Sequence, residues 1–176
     1  GKSTLIKTIV GALKPMSGTV LRGQGLTIGY FAQHQLESLD VRDTPLDVMR
    51  RKAPLEREQT LRDHLGKFKF SGDFIEHKIG TLSGGEKARL ALALIVWDKP
   101  NLLVLDEPTN HLDMATREAL TVALSSFEGA LILVSHDRHL IRSTCDKLVL
   151  VHEGHVEAYD GDLDDYAKLV LEHRKT

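Results

Sequence analysis

Three short apolar runs constrain this chain more than any other feature: Leu-Leu-Val-Leu at 102–105, Leu-Ile-Leu-Val at 131–134 and Leu-Val-Leu-Val at 148–151. Each run is continuous rather than alternating, the pattern of a strand covered on both faces, as parallel sheets require. Between the first two lie Leu120, Ala123, Leu124 and Phe127, at the three- and four-residue spacings of a packed helix. Strand, helix, strand, helix, strand predicts a doubly wound, mostly parallel α/β sheet. Residues 90–97 are apolar around the whole helical circumference and predict a buried helix. At the front, Leu5, Ile6, Ile9, Val10 and Leu13 form a further helical stripe, which Pro15 is expected to end. Residues 19–21 and 26–33 read as short strands around a turn at Gly23 and Gly25. From 34 to 80 the composition turns charged and helix-favouring, with Pro45 and Pro54 near the expected helix starts, so a helical subdomain is inserted there. The main domain is expected over 1–160, with an exit helix over 161–176 carrying Leu163, Tyr166, Ala167 and Val170.

Composition then removes several classes of function. A chain of 176 residues fits one domain. The longest apolar run, 90–97, is far below the roughly 18 residues needed to cross a bilayer. The single cysteine, Cys145, can form no internal disulfide and no cysteine metal site, and such usage suits a reducing cytosol. A net charge of −2 with 5% aromatic residues leaves no overall basic footprint for nucleic acid. His136, His139, His152 and His155 match no zinc-ligand pattern. Arg50, Arg51, Lys52, Lys67 and Lys69 read as a solvated helical face.

The chemistry is concentrated in three places. Gly1-Lys2-Ser3-Thr4, directly before a helix, has the form of the end of a phosphate-binding loop. There backbone N–H groups cradle phosphates, the lysine reaches the β and γ oxygens, and the following hydroxyl binds Mg²⁺. The apolar run at 102–105 delivers two adjacent carboxylates, Asp106 and Glu107, to the carboxyl end of a strand, where open α/β sheets bind their ligands. One carboxylate can support Mg²⁺, and the other can polarise a water for attack on phosphate. Pro108 is expected to end the strand at Glu107, and Asp113 to cap the next helix. Ser83-Gly84-Gly85-Glu86 reads as a Ser-x-x-Glu capping box and, compatibly, as an anion site of bare N–H groups at a helix start, with no phosphate specified by the residues alone.

Five motifs in this order resemble the ATP-binding cassette ATPases: Gly1-Lys2-Ser3-Thr4, Gln33 in Tyr30-Phe31-Ala32-Gln33, Leu82-Ser83-Gly84-Gly85-Glu86, Asp106-Glu107, and Ser135-His136-Asp137. The run from Pro108 to Asp113 and the run from Ser135 to Leu140 resemble the ABC-F branch, whose twin-cassette proteins act on ribosomes. The stretches 30–35 and 93–97 resemble its bacterial YheS-like members, in their second cassette. The resemblance implies a P-loop NTPase fold with ATP and Mg²⁺ as cofactors. Gly1, Lys2, Ser3 and Thr4 would hold phosphate, and Ser3, Gln33 and Asp106 the metal. Glu107 would be the general base, with Gln33 and His136 beside the reacting phosphate. Ser83, Gly84, Gly85 and Asp113 would serve ATP at the seam with a second cassette of the same parent chain. A ribosome or ribosomal RNA partner, met by a few basic residues, no membrane and a cytoplasmic location follow from the same resemblance.

Two other readings compete with this one. A transporter ATPase is disfavoured by Asn110-His111 and by the short interval of 31 positions (33 − 2) from Lys2 to Gln33. A non-hydrolytic clamp has no use for Glu107 as a base. The chain starts inside a motif without methionine, so it is expected to be a fragment truncated within the phosphate loop. By itself it is expected to bind ATP weakly and hydrolyse none.

Overall fold

The computed structural model describes residues 1–32, 34–110 and 112–173. The chain runs α1 (Lys2–Val10), β1 (Ile28–Phe31), α2 (His34–Glu37), α3 (Pro45–Lys52), α4 (Glu58–Lys67), α5 (Gly84–Trp97) and β2 (Leu102–Asp106). It continues through α6 (Met114–Ser125), β3 (Ala130–Val134), α7 (Arg138–Thr144), β4 (Leu148–His152), β5 (His155–Tyr159) and α8 (Leu163–His173). The first three strands form a parallel sheet in the order β1-β2-β3, with Ile28 opposite Leu102 and Leu102 opposite Ala130. Because side chains alternate along a strand, the sheet has two distinct faces. Leu103 and Leu105 join Leu90, Leu92 and Ala93 of α5 in the main core. A Cβ at Gly29 would lie 2.6 Å from Ile95 of α5, so a bare glycine lets α5 approach β1. The other face presents Val104 and Asp106, and α1 packs against this strand.

The inserted subdomain shares the main core. Leu46 and Met49 of α3, Leu61 and Leu65 of α4, and Phe70, Ile75 and Ile79 beyond them are all essentially inaccessible and contiguous with α5. Fully burying each such side chain contributes about 1.5–3 kcal/mol. Pro45 takes the first turn of α3 under a Thr44–Asp47 capping box, as its position predicts. Pro54 does not start a helix. It follows the end of α3 at Ala53, and α4 begins only at Glu58. The basic run is exposed, but its charges meet acids: Arg51 pairs with Asp43 at 2.9 Å, Lys52 with Asp98 at 2.8 Å, and Arg50 with Glu58 and Asp47.

The structure corrects three further expectations. α1 stops at Gly11, whose φ of 89° is left-handed, so the helix ends before Pro15 can act. Residues 19–21 are not a strand; Leu21 is 92% exposed, and no ladder partner lies beside them among the described residues. The run at 148–151 is a strand, but not a parallel one. It pairs antiparallel with β5 in a separate two-stranded sheet, Val149 opposite Ala158 and Val151 opposite Val156. The reason is the two-residue loop Glu153-Gly154, with φ of 45° and 81°. Two successive left-handed residues turn the chain straight back on itself, and a parallel partner would need a long crossover instead. α8 lies within the expected exit segment, and its first turn is tied down by Asp162, whose Oδ1 accepts from the N–H groups of Asp164 and Asp165.

His64 joins α4 to α5. Its Nε2 donates to the Ala93 carbonyl at 2.7 Å, and its ring stands edge-on to Trp97. Burial pulls the imidazole below its ordinary value of 6.5, outweighing the opposing hydrogen bond to Ala93. A depressed folded-state value means the unfolded chain binds the proton more readily. The contribution is therefore present above about pH 6.5 and lost as pH falls through the folded-state value. Thermal melts are expected to show a fall in midpoint below pH 6.5 that His64→Gln flattens. An unchanged slope in the variant would place the effect elsewhere.

Candidate functional site

The carboxyl end of β2 carries the acid pair. Asp106 closes the strand, and Glu107 turns out of it in the left-handed region at φ 51°. Non-glycine residues seldom adopt that conformation, and it persists only where the surroundings hold it. Here the Glu107 N–H donates to the Val134 carbonyl at 2.7 Å, and the Glu107 carbonyl accepts from the Asn110 N–H at 3.3 Å. The effect is to swing the Glu107 carboxylate toward the end of β3, where Oε1 lies 3.3 Å from His136 Nε2. His136 is held out by its neighbours: Ser135 Oγ accepts from the Asp137 N–H, and Asp137 caps α7 by accepting from the Leu140 N–H. Its side chain stays 79% exposed against 26% for Glu107, so one partner faces solvent and the other is shielded. Pro108 signals only that residue 107 leaves the right-handed helical region, so the left-handed turn was not legible beforehand.

Asp106 shows what this end of the sheet can hold. Its Oδ1 is buried and has no hydrogen-bond partner among the described residues. An orphaned carboxylate oxygen in a protein interior is costly unless a donor or a cation completes it. Hard divalent cations such as Mg²⁺ take oxygen ligands of this kind, often through their own waters. The donor set therefore fits a magnesium ion. Lys2, Ser3 and Thr4 lie in the first turn of α1, with no acidic residue among them. Their N–H groups have no acceptor inside the helix, which leaves donors and a positive dipole end for an anion. α1 packs on β2, the strand that ends in Asp106. Gly1 supplies the carbonyl that receives the Leu5 N–H, and a Cβ on it would touch Val151 of β4 at 3.4 Å. Gln33 lies outside the described residues.

Ser83, Gly84, Gly85 and Asp113 form a second group. Ser83 Oγ accepts from the Glu86 N–H at 3.2 Å, and Glu86 Oε2 accepts from the Ser83 N–H at 2.7 Å, completing the expected capping box. Asp113 caps α6 through Thr116, whose N–H and hydroxyl donate to its two oxygens at 2.8 and 3.0 Å. Those bonds hold the Asp113 carboxyl below the usual carboxylate range. A Cβ at Gly85 would lie only 2.5 Å from Thr116 Oγ1, while one at Gly84 would meet nothing within 4 Å. The two glycines thus differ: Gly85 lets the starts of α5 and α6 touch, and Gly84 borders open space. Sequence reasoning missed Thr116, because its contact with Gly85 joins residues remote along the chain. Gly85→Ala is expected to cost about 1–3 kcal/mol by overpacking against Thr116, with Gly84→Ala near neutral. Urea unfolding of the two variants measures the difference, and equal costs would remove the close contact. Among the described residues, no hydrogen bond or ion pair joins this group to Lys2, Ser3, Asp106, Glu107 or His136.

Comparison with known proteins gives a consistent result. Residues 1–110 match the model of a family described as "ABC transporter". The chain is 58% identical over 99% of its length to the probable ATP-binding protein YheS of Escherichia coli K12, of which it covers 28%. It is 45% identical over 97% of its length to ABC transporter F family member 3 of Arabidopsis thaliana, covering 24% of it. ATP-binding cassette sub-family F member 3 of Rattus norvegicus is 42% identical over 98% of the chain, again covered to 24%. The chain thus spans about a quarter of the length of these relatives. Among solved structures, a dimeric ATP-binding cassette in a post-hydrolysis state, bound to ADP and Pi, superposes with a TM-score of 0.70 at 23% identity. That match covers 92% of this chain and 82% of the other. A metal-chelate type ABC transporter in an inward-facing conformation gives 0.71 at 20% identity, covering 94% and 68%. At these identities the likeness shows the fold, that of P-loop ATPase domains.

Proposed function

This chain belongs to the ABC transporter family, and from that premise we propose that it is the second ATP-hydrolysing cassette of a longer ABC-F protein. In this reading it closes with a sister cassette of the same parent chain on two ATP molecules, as a cytoplasmic clamp on the ribosome. One observation carries the ATPase: a buried, unpartnered carboxylate oxygen on Asp106 adjoins a shielded Glu107 carboxylate held 3.3 Å from His136. Mg²⁺ and ATP, when bound, supply the phosphate chain and the charge that neutralises its oxygens. Lys2 holds the β and γ phosphates, Ser3 and Gln33 the metal, and Gly1 and Thr4 the loop that cradles them. Asp106 would help to hold the metal. Glu107 takes the proton of the attacking water, and His136 orients that carboxylate and faces the γ-phosphate. Ser83, Gly84 and Gly85 offer their N–H groups to the sister cassette's ATP, with Asp113 at the seam. That no hydrogen bond or ion pair among the described residues ties this second group to Asp106 or Glu107 agrees with a shared site.

The ABC-F placement rests on the likeness to YheS and to the plant and rat F-family members. Among the described residues, no helix is long and apolar enough to cross a membrane. The reading is tested on the full-length protein by calorimetry with ATP in Mg²⁺ and in EDTA, beside phosphate release. Mg²⁺-dependent binding and turnover are expected. Binding without turnover would favour a nucleotide-gated clamp that does not hydrolyse.

A further inference from the structure

The parallel ladder places Tyr30 of β1 opposite Val104 of β2, so Asp106 is the next residue toward the carboxyl end on the same face. Gly29 and Phe31 mark the other face, since a Cβ at Gly29 would meet α5 and Phe31 lies in the α5 core. Two residues along a strand span roughly 6.6 Å, within reach of a tyrosine side chain leaning along the sheet. The Tyr30 hydroxyl is buried and has no hydrogen-bond partner among the described residues, and the same is true of Asp106 Oδ1. One is a donor and the other an acceptor. The Tyr30 ring is seated against His34, with centroids 6.1 Å apart, and its carbonyl accepts from the Gln35 amide.

Buried polar atoms without partners are rare, and a single water with polar neighbours on both sides is the usual remedy. We propose that Tyr30 is a positioning residue for Asp106, its buried hydroxyl donating through one bridging water to Oδ1 and so holding the carboxylate in the rotamer that receives Mg²⁺. Carboxylates that bind metals are themselves hydrogen-bonded, and losing such a partner typically costs 10–100-fold in metal affinity. The inference rests on the proposed ATPase function, since it concerns the metal at that site. It assigns a task to Tyr30, a residue to which the motif reading gives none.

The test measures ATP affinity by calorimetry in Mg²⁺ and in EDTA, for the full-length protein and for Tyr30→Phe, Asp106→Asn and the double variant. The readout is the ratio of the two affinities, which needs no turnover. Tyr30→Phe is expected to reduce that ratio about 10-fold while leaving the EDTA affinity unchanged. Asp106→Asn should bring the ratio close to one, and adding Tyr30→Phe should then change nothing, because the hydroxyl acts only through the carboxylate. A merely structural role would lower both affinities, or lower the ratio equally in the two backgrounds, and either result would overturn the proposal. An unchanged ratio in Tyr30→Phe would overturn it as well. If the unaltered protein shows no Mg²⁺-dependent ATP binding, the proposed function itself fails, and this inference with it.

Discussion

Glu107→Gln in the full-length protein is expected to slow ATP hydrolysis by about 10²–10⁴-fold while ATP stays bound. Glutamine keeps the size of glutamate and can still meet His136, but it cannot accept the proton of an attacking water. The backbone that presents the side chain is held independently, by the 2.7 Å bond from the Glu107 N–H to Val134, so the left-handed turn survives the change. Lys2, Ser3 and Asp106 are untouched, and the closed ATP-bound form should accumulate. Asp106→Asn makes the contrasting control. It removes the charge of the Asp106 carboxylate, so Mg²⁺-dependent binding should fall together with hydrolysis. Single-turnover hydrolysis beside equilibrium ATP binding separates the two variants. Unchanged hydrolysis in Glu107→Gln would remove Glu107 from the mechanism.

Ser83→Arg is expected to abolish ATP-dependent closure of the two cassettes while leaving ATP binding at Lys2 nearly intact. The side chain of Ser83 sits at the open start of α5, beside Gly84, where a Cβ would meet nothing. In the proposed shared site, an arginine there would fill the space that the sister cassette's γ-phosphate enters. It also removes the hydroxyl that accepts from the Glu86 N–H, at a cost of about 1 kcal/mol, too little to unfold the domain. Fluorescence energy transfer between labels on the two cassettes reads closure, and nucleotide titration reads binding. Lost ATP binding at the variant's own phosphate loop would contradict the shared site.

What was legible in the sequence was local. β2, the start of α3 at Pro45 and the capping box at Ser83 depend on residues within a few positions of one another, and each stands where its pattern predicts. Of the expected buried helix at 90–97, which is the carboxyl part of α5, residues 90–93 are buried in the core and 94–97 are only half-buried against it. Errors arose where the deciding residue lay just outside the window. Four apolar residues at 148–151 cannot state a pairing direction; Glu153 and Gly154 decide it. Pro15 looked like the stop of α1, but Gly11 had already ended it. In the site, the residue types were legible and their relations were not. Asp106 and Glu107 are neighbours in the chain, yet one points into a buried orphaned position and the other toward His136, because of a left-handed turn anchored on β3. The contact of Gly85 with Thr116, and the shared face of Tyr30 and Asp106, arise only from packing and strand register.

The clamp reading makes one demand that a general ATPase does not: blocking hydrolysis must trap the protein on its partner. Sedimentation of ribosomes with the full-length Glu107→Gln variant, with and without ATP, measures this most directly. The account predicts ATP-dependent retention of the variant on ribosomes well above that of the unaltered protein, which reopens after each turnover. Loss of hydrolysis with no ATP-dependent retention would contradict it and return the cassette to another branch of the family.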